Sequence, residues 1–209
     1  GVQTCALPIS IFSDEELHFF IGKDGVFSSI FDFKQTMLGQ EGKGWFDHSL
    51  PTADELKESI FQAHERADSI GVLSTIIENH DEPRGVNTYL PPHAQNDAGK
   101  KMLATVAIML RGLPFLYQGQ EIGMTNTNWQ SVDEFDDLNT VDQYHLALKA
   151  GLSEKDALDK IGRLSRDNAR TPMQWTDGEN AGFTTGKPWL RVNENYKKIN
   201  AESQINDPD

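Results

Sequence analysis

Gly71-Val72-Leu73-Ser74-Thr75-Ile76-Ile77-Glu78-Asn79-His80-Asp81-Glu82-Pro83-Arg84 passes directly from an apolar run into six polar or charged residues and a proline. The run 71–77, rich in β-branched residues, reads as a buried strand. The charged stretch 78–84 is not an ordinary strand-to-loop exit. Burying an Asp, a His and an Arg beside a hydrophobic strand is unfavourable unless the groups pair or take part in chemistry.

Working outward, Ser13-Asp-Glu-Glu16 and Thr52-Ala-Asp-Glu55 are capping-box patterns. After the second, Leu56, Ile60, Ala63 and Ala67 recur at helical spacing, predicting an amphipathic helix over 53–68. Gly25-Val-Phe-Ser-Ser-Ile-Phe-Asp-Phe33 alternates as a strand does. Beyond Pro91-Pro92 a second helix is expected over 97–111, with Leu103, Val106, Ala107 and Leu110 on one face, and then a short strand over 112–117. Strand, helix, strand, helix, strand with short connections argues a parallel α/β sheet. In (β/α)8 barrels the C-terminal ends of strands hold the active site. Residues 131–168 are charged and helical in pattern, with Ser153 as a cap, and 168–188 form a long loop without period. The aromatics Trp175, Phe183 and Trp189 argue that this loop is ordered.

A net charge of −13 disfavours nucleic acid and anionic membranes as partners, since both need basic patches. No apolar run reaches the ~18 residues of a membrane span. The sole cysteine, Cys5, fits a reducing compartment. Gly1-Val-Gln-Thr-Cys-Ala-Leu-Pro-Ile9 leads into no recognisable element and resembles a translated sequencing-adapter peptide. Residues 1–9 are therefore expected to be a non-native leader, and 10–209 a piece truncated at both ends.

Glycine-rich phosphate loops, a G-x-S-x-G elbow and cysteine–histidine ligand sets are absent from the sequence. His80-Asp81 is a poor metal pair, because adjacent residues on an extended strand end point opposite ways. No metal or cofactor is expected. Carboxylate chemistry on a polyhydroxylated ligand fits better. Asp81 would sit at a strand end, with His80 and Arg84 near enough to tune its charge, and glycoside cleavage needs acids and donors around a sugar ring. Phe33, Tyr117, Trp175 and Trp189 suit the apolar faces of sugars, although core packing explains any one of them as well. For Asp81 and Arg84 two readings stay open on the residues alone, a binding site or a structural ion pair.

Asn79-His80-Asp81, taken with Gly112-Leu-Pro-Phe-Leu-Tyr-Gln-Gly-Gln-Glu-Ile-Gly-Met124, resembles glycoside hydrolase family 13, the α-amylase family. Arg166-Asp-Asn-Ala-Arg-Thr-Pro-Met-Gln-Trp175 and Asn193-Glu-Asn-Tyr-Lys-Lys-Ile-Asn200 resemble its oligo-1,6-glucosidase branch. The resemblance implies a partial TIM (β/α)8 barrel, with 25–33, 71–77 and 112–117 as strands six to eight. It implies that Asp81 is the transition-state-stabilising carboxylate, and that His80, Arg84 and Arg170 bind the substrate. Glu121, where many relatives carry paired acids with its neighbour, is implied to be structural. The nucleophilic Asp and the acid/base Glu of the family would precede residue 1, so the polypeptide alone is expected to be inactive. The implied activity is retaining hydrolysis of α-1,6 or α-1,4 glucosidic bonds in short oligosaccharides by a monomeric cytoplasmic bacterial enzyme. Sucrose isomerisation, trehalose-6-phosphate hydrolysis and transglycosylation fall within the same branch. A non-catalytic barrel relative acting as a chaperone is the alternative of another class, disfavoured by the intact Asn79-His80-Asp81.

Overall fold

The computed structural model describes residues 4–5, 12–31, 33–40 and 42–208, with backbone alone at 4, 5, 14 and 34. The chain divides into two units. The first comprises Gly1–Gly39, Leu50–Ile77 and Lys101–Leu116. It holds a sheet of four parallel strands in sequential order: β1 (Thr4–Cys5), β2 (Ser29–Phe31), β3 (Leu73–Ile76) and β4 (Leu113–Phe115). Ile30 lies opposite Leu73, and Ser74 opposite Leu113. Of the segment expected to be a non-native leader, residues 4 and 5 form β1 beside β2, and its remainder lies outside the described residues.

Helix α1 (Asp14–Phe20) and helix α2 (Ala53–Asp68) both begin with the capping boxes read from the sequence. At α2 the Thr52 hydroxyl accepts from the Glu55 N–H at 3.2 Å, while the Glu55 carboxylate accepts from the Thr52 N–H at 2.8 Å. The helix then buries Ile60, Ala63 and Ala67. Ala63 and Ala67 join Leu17, Ile21, Ile30 and Leu73 in one apolar core between helices and sheet. On β3 the consecutive residues Leu73, Ser74 and Thr75 are all buried, as expected of a parallel strand covered on both faces. Its polar members are satisfied: Ser74 Oγ shares a 2.7 Å hydrogen bond with Ser29 Oγ, and Thr75 Oγ1 donates to the Ala107 carbonyl. Gly112 enters β4 at φ +149°, where a Cβ would stand 2.5 Å from the Leu73 carbonyl oxygen, so only glycine fits. Because the Thr52 cap is exposed and local, Thr52→Ala should lower stability by about 1 kcal/mol and Thr52→Ser by much less. Urea unfolding of the two variants checks this.

The second unit comprises Gln40–Ser49, Glu78–Lys100 and Tyr117–Asp209. Its helices are α3 (Gly85–Tyr89), the first turn of α4 (Asp97–Met109), α5 (Leu138–Lys149), α6 (Glu154–Leu164), α7 (Asp167–Arg170) and α8 (Ala201–Gln204). Ser153 caps α6 as expected, its hydroxyl accepting from the Asp156 N–H. α5 and α6 pack through Tyr144, Ala147, Ala157 and Ile161, and Phe46 closes that core. In the segment 168–188 aromatic burial contributes little: Trp175 and Phe183 are each 49% exposed, and Trp189 just beyond it is 65% exposed. Instead the carbonyl of fully buried Ala181 accepts from the N–H groups of Trp175 and Thr176, with Asn180 and Ala181 in the left-handed region. No helix among the described residues is long and apolar enough to cross a membrane.

Candidate active site

Glu78 comes directly after the apolar run, and both its oxygens are engaged. Oε1 pairs with Arg84 Nη1 at 2.9 Å, and Oε2 accepts from the Gly85 N–H at 2.5 Å. Arg84 is wholly buried. Its guanidinium also donates to the carbonyls of Gln118 (2.7 Å) and Ala169 (3.4 Å) and lies over the Tyr117 ring. Burial pushes the Glu78 carboxyl above its ordinary value, and the Arg84 charge and Gly85 N–H oppose that shift without cancelling it. This buried pair ties three chain segments together under the loop 79–83.

Above it, the loop turns outward. Asn79 Oδ1 accepts from the Asp81 N–H at 2.7 Å, a local turn that leaves His80 and Asp81 exposed. Asp81 Oδ1 accepts from Arg166 Nη1 at 3.1 Å and Arg170 Nη2 at 3.2 Å, and Oδ2 lies 3.2 Å from His80 Nε2. Arg170 Nε donates to the His80 carbonyl at 2.9 Å. Arg166 is held in turn by Asp137 Oδ1, at 2.8 Å from Nε and 2.7 Å from Nη2. Burial raises the Asp137 carboxyl, but hydrogen bonds from Thr140 and Arg166 outweigh it and hold the group below its usual range. The bond to Asp137 also raises the Arg166 pKa.

A carboxylate oxygen offers two lone-pair directions. Both on Oδ1 are taken by guanidinium groups. Oδ2 has one beyond His80, on a side chain 53% exposed. The arrangement is an oriented anion with one acceptor position turned to solvent, suited to a hydroxyl donor or to a developing positive charge.

Asp81, His80 and Arg170, picked from the sequence, come together here. Arg84, picked as a substrate-binding residue, lies in the layer beneath, paired with Glu78 and not with Asp81. Its contacts are protein groups. The sequence alone does not single out Arg166 or Asp137. The spacing of Arg166 and Arg170 was the available signal, because residues four apart on one helical turn share a face. Glu121 directs its carboxylate to the Gly119 N–H.

The alpha-amylase catalytic-domain profile matches residues 14–209. An oligo-1,6-glucosidase of Parageobacillus thermoglucosidasius is 38% identical over 180 residues, covering 86% of this chain and 32% of that protein. A trehalose-6-phosphate hydrolase of Bacillus subtilis is 43% identical over 129 residues, covering 62% and 23%. The crystal structure of an isomaltulose synthase mutant from Erwinia rhapontici NX5, in complex with its natural substrate sucrose, superposes with a TM-score of 0.84 at 32% identity, covering 96% and 36%. The chain thus spans about a third of the length of the curated oligo-1,6-glucosidases it matches. It belongs to the family of the alpha-amylase catalytic domain.

Proposed function

We propose that residues 10–209 are the C-terminal part of the catalytic barrel of a retaining α-glucosidase, with β2, β3 and β4 in the places of barrel strands six to eight. The substrate is a short oligosaccharide with α-1,6 or α-1,4 glucosidic bonds. Asp81 stabilises the transition state, His80 and Arg170 contact the same sugar, and Arg84 supports their loop from below. The observation that carries this reading is the Asp81 carboxylate, fixed on one oxygen by Arg166 and Arg170 while Oδ2 keeps an acceptor position toward solvent. An oxocarbenium-like transition state gains from such a preoriented anion. Placement in the cytoplasm and a monomeric state rest on the family resemblance alone.

Retaining cleavage needs two carboxylates about 5–5.5 Å apart, one attacking and one exchanging protons. Four acids of the second unit already have protein partners. Glu78 holds Arg84, Asp137 holds Thr140 and Arg166, Glu121 holds the Gly119 N–H, and Asp167 Oδ2 accepts from the N–H groups of Asp136 and Asp137. The 209-residue polypeptide alone should therefore release no p-nitrophenol from p-nitrophenyl α-glucoside above an Asp81→Asn control. Exchanged for the matching segment of the P. thermoglucosidasius oligo-1,6-glucosidase, residues 10–209 should give a chimera that hydrolyses isomaltose. A folded chimera without activity, or turnover by the polypeptide alone, would refute the assignment. Isomerisation of sucrose is a second reading, favoured by the likeness to the sucrose-bound isomaltulose synthase, and product analysis of the chimera on sucrose separates the two.

A further inference from the structure

A cavity of about 250 Å³ opens within the second unit among Asn87, Thr127, Asn128, Trp129, Asp159 and Arg163. None of Asp81, His80, Arg166 or Arg170 lines it. One water needs only ~10–15 Å³ of such space, whereas drug-sized ligands occupy pockets of about 300 Å³ and more. The volume suits a single sugar-sized ring.

The walls have the matching chemistry. The Asn87 and Asn126 amides are bonded to Gln95, the Arg84 N–H, the Asn126 N–H and the Arg163 carbonyl, whereas the exposed Asn128 amide can both donate and accept, as hydroxyl groups require. The carboxylate of Asp159 and the guanidinium of Arg163 offset each other, which favours a neutral ligand over phosphate. Trp129 supplies an indole, only 5% exposed and fixed by a 2.9 Å bond from Nε1 to Asn168 Oδ1.

The cavity is bonded to both segments that carry the candidate site. Asn126, also in its wall, accepts on Oδ1 from the Arg84 N–H at 2.9 Å and donates its own N–H to Asn87 Oδ1 at 2.7 Å. Thr127 N–H donates to Asn168 Oδ1 at 3.0 Å, between Arg166 and Arg170 in the chain.

We propose that this cavity is a second binding site, for a neutral monosaccharide or polyol of that size, behind the Asp81 surface. It stands on its own lining and not on the reading of Asp81. Titration of the 209-residue chain with D-glucose, followed by NMR, tests it. The Trp129 indole N–H and the Asn87 and Asn128 amide signals should shift saturably at millimolar glucose. Asp159→Ala and Asn128→Ala, both at exposed positions, should weaken this at least tenfold without changing thermal unfolding, and Asp81→Asn should leave it intact. The site is refuted if these signals do not saturate, if neither wall variant weakens them, or if Asp81→Asn abolishes the shift.

Discussion

Arg84→Met is expected to destabilise the second unit by about 3–5 kcal/mol at neutral pH, the range for removing one partner of a buried ion pair. The guanidinium it deletes is wholly buried and bonded to Glu78, Gln118 and Ala169. Glu78, 2% exposed, would be left without its countercharge. The pH dependence gives the mechanism away. Burial already holds the folded-state pKa of Glu78 above its unfolded value. For such a group the associated stability is complete below the unfolded pKa and is lost as pH rises through the folded one. Deleting Arg84 removes a charge that lowers the Glu78 pKa, so the loss moves to higher pH and deepens. The penalty of Arg84→Met should thus be largest near neutrality and shrink on acidification toward the ordinary carboxylate range. Arg84→Met combined with Glu78→Leu should recover much of the loss, because replacing both members of a buried pair by apolar groups removes the unpaired charge. Denaturant unfolding at several pH values reads all three variants. A single variant within 1 kcal/mol of wild type, or a double variant no better than the single, would show that the pair does not hold this loop.

This pair also marks where the sequence stops being legible. At α2 local signals suffice. The α2 boundaries Ala53–Asp68 coincide with the span read from a capping box and apolar spacing, since both act within a few residues. The strand expected over 25–33 shortens to Ser29–Phe31, because Val26 and Phe27 commit their N–H groups to the carbonyls of Phe19 and Phe20 at the end of α1. Alternation cannot foresee that competition. At the site, the residue types point to carboxylate chemistry as an expectation, and the family motifs add Arg170. Which charge faces which could not be read. Arg84 is three residues from Asp81 yet pairs with Glu78, while the partners of Asp81 lie at 166 and 170, and that of Arg166 lies at 137. Such pairings depend on tertiary placement, which no spacing encodes.

Asp81→Asn in the isomaltose-hydrolysing chimera is expected to lower kcat by about 10²–10³-fold, the scale of losing one preoriented electrostatic group. The substitution keeps size and planarity but removes the negative charge. It also turns one carboxylate oxygen into an amide nitrogen. The guanidinium groups of Arg166 and Arg170 would then lose the charge of Asp81, with Asp137 still paired to Arg166, just as positive charge develops on the sugar. The consequence falls on the transition state more than on the bound ground state, so kcat should fall together with kcat/KM while KM changes little. Arg166→Gln separates orientation from charge. It removes one bond to Asp81 and the link to Asp137 but leaves the carboxylate and Arg170 in place, so its loss in kcat should be clearly smaller. If Asp81→Asn instead raises KM with kcat preserved, Asp81 binds substrate without stabilising the reaction, and the role assigned to it is wrong.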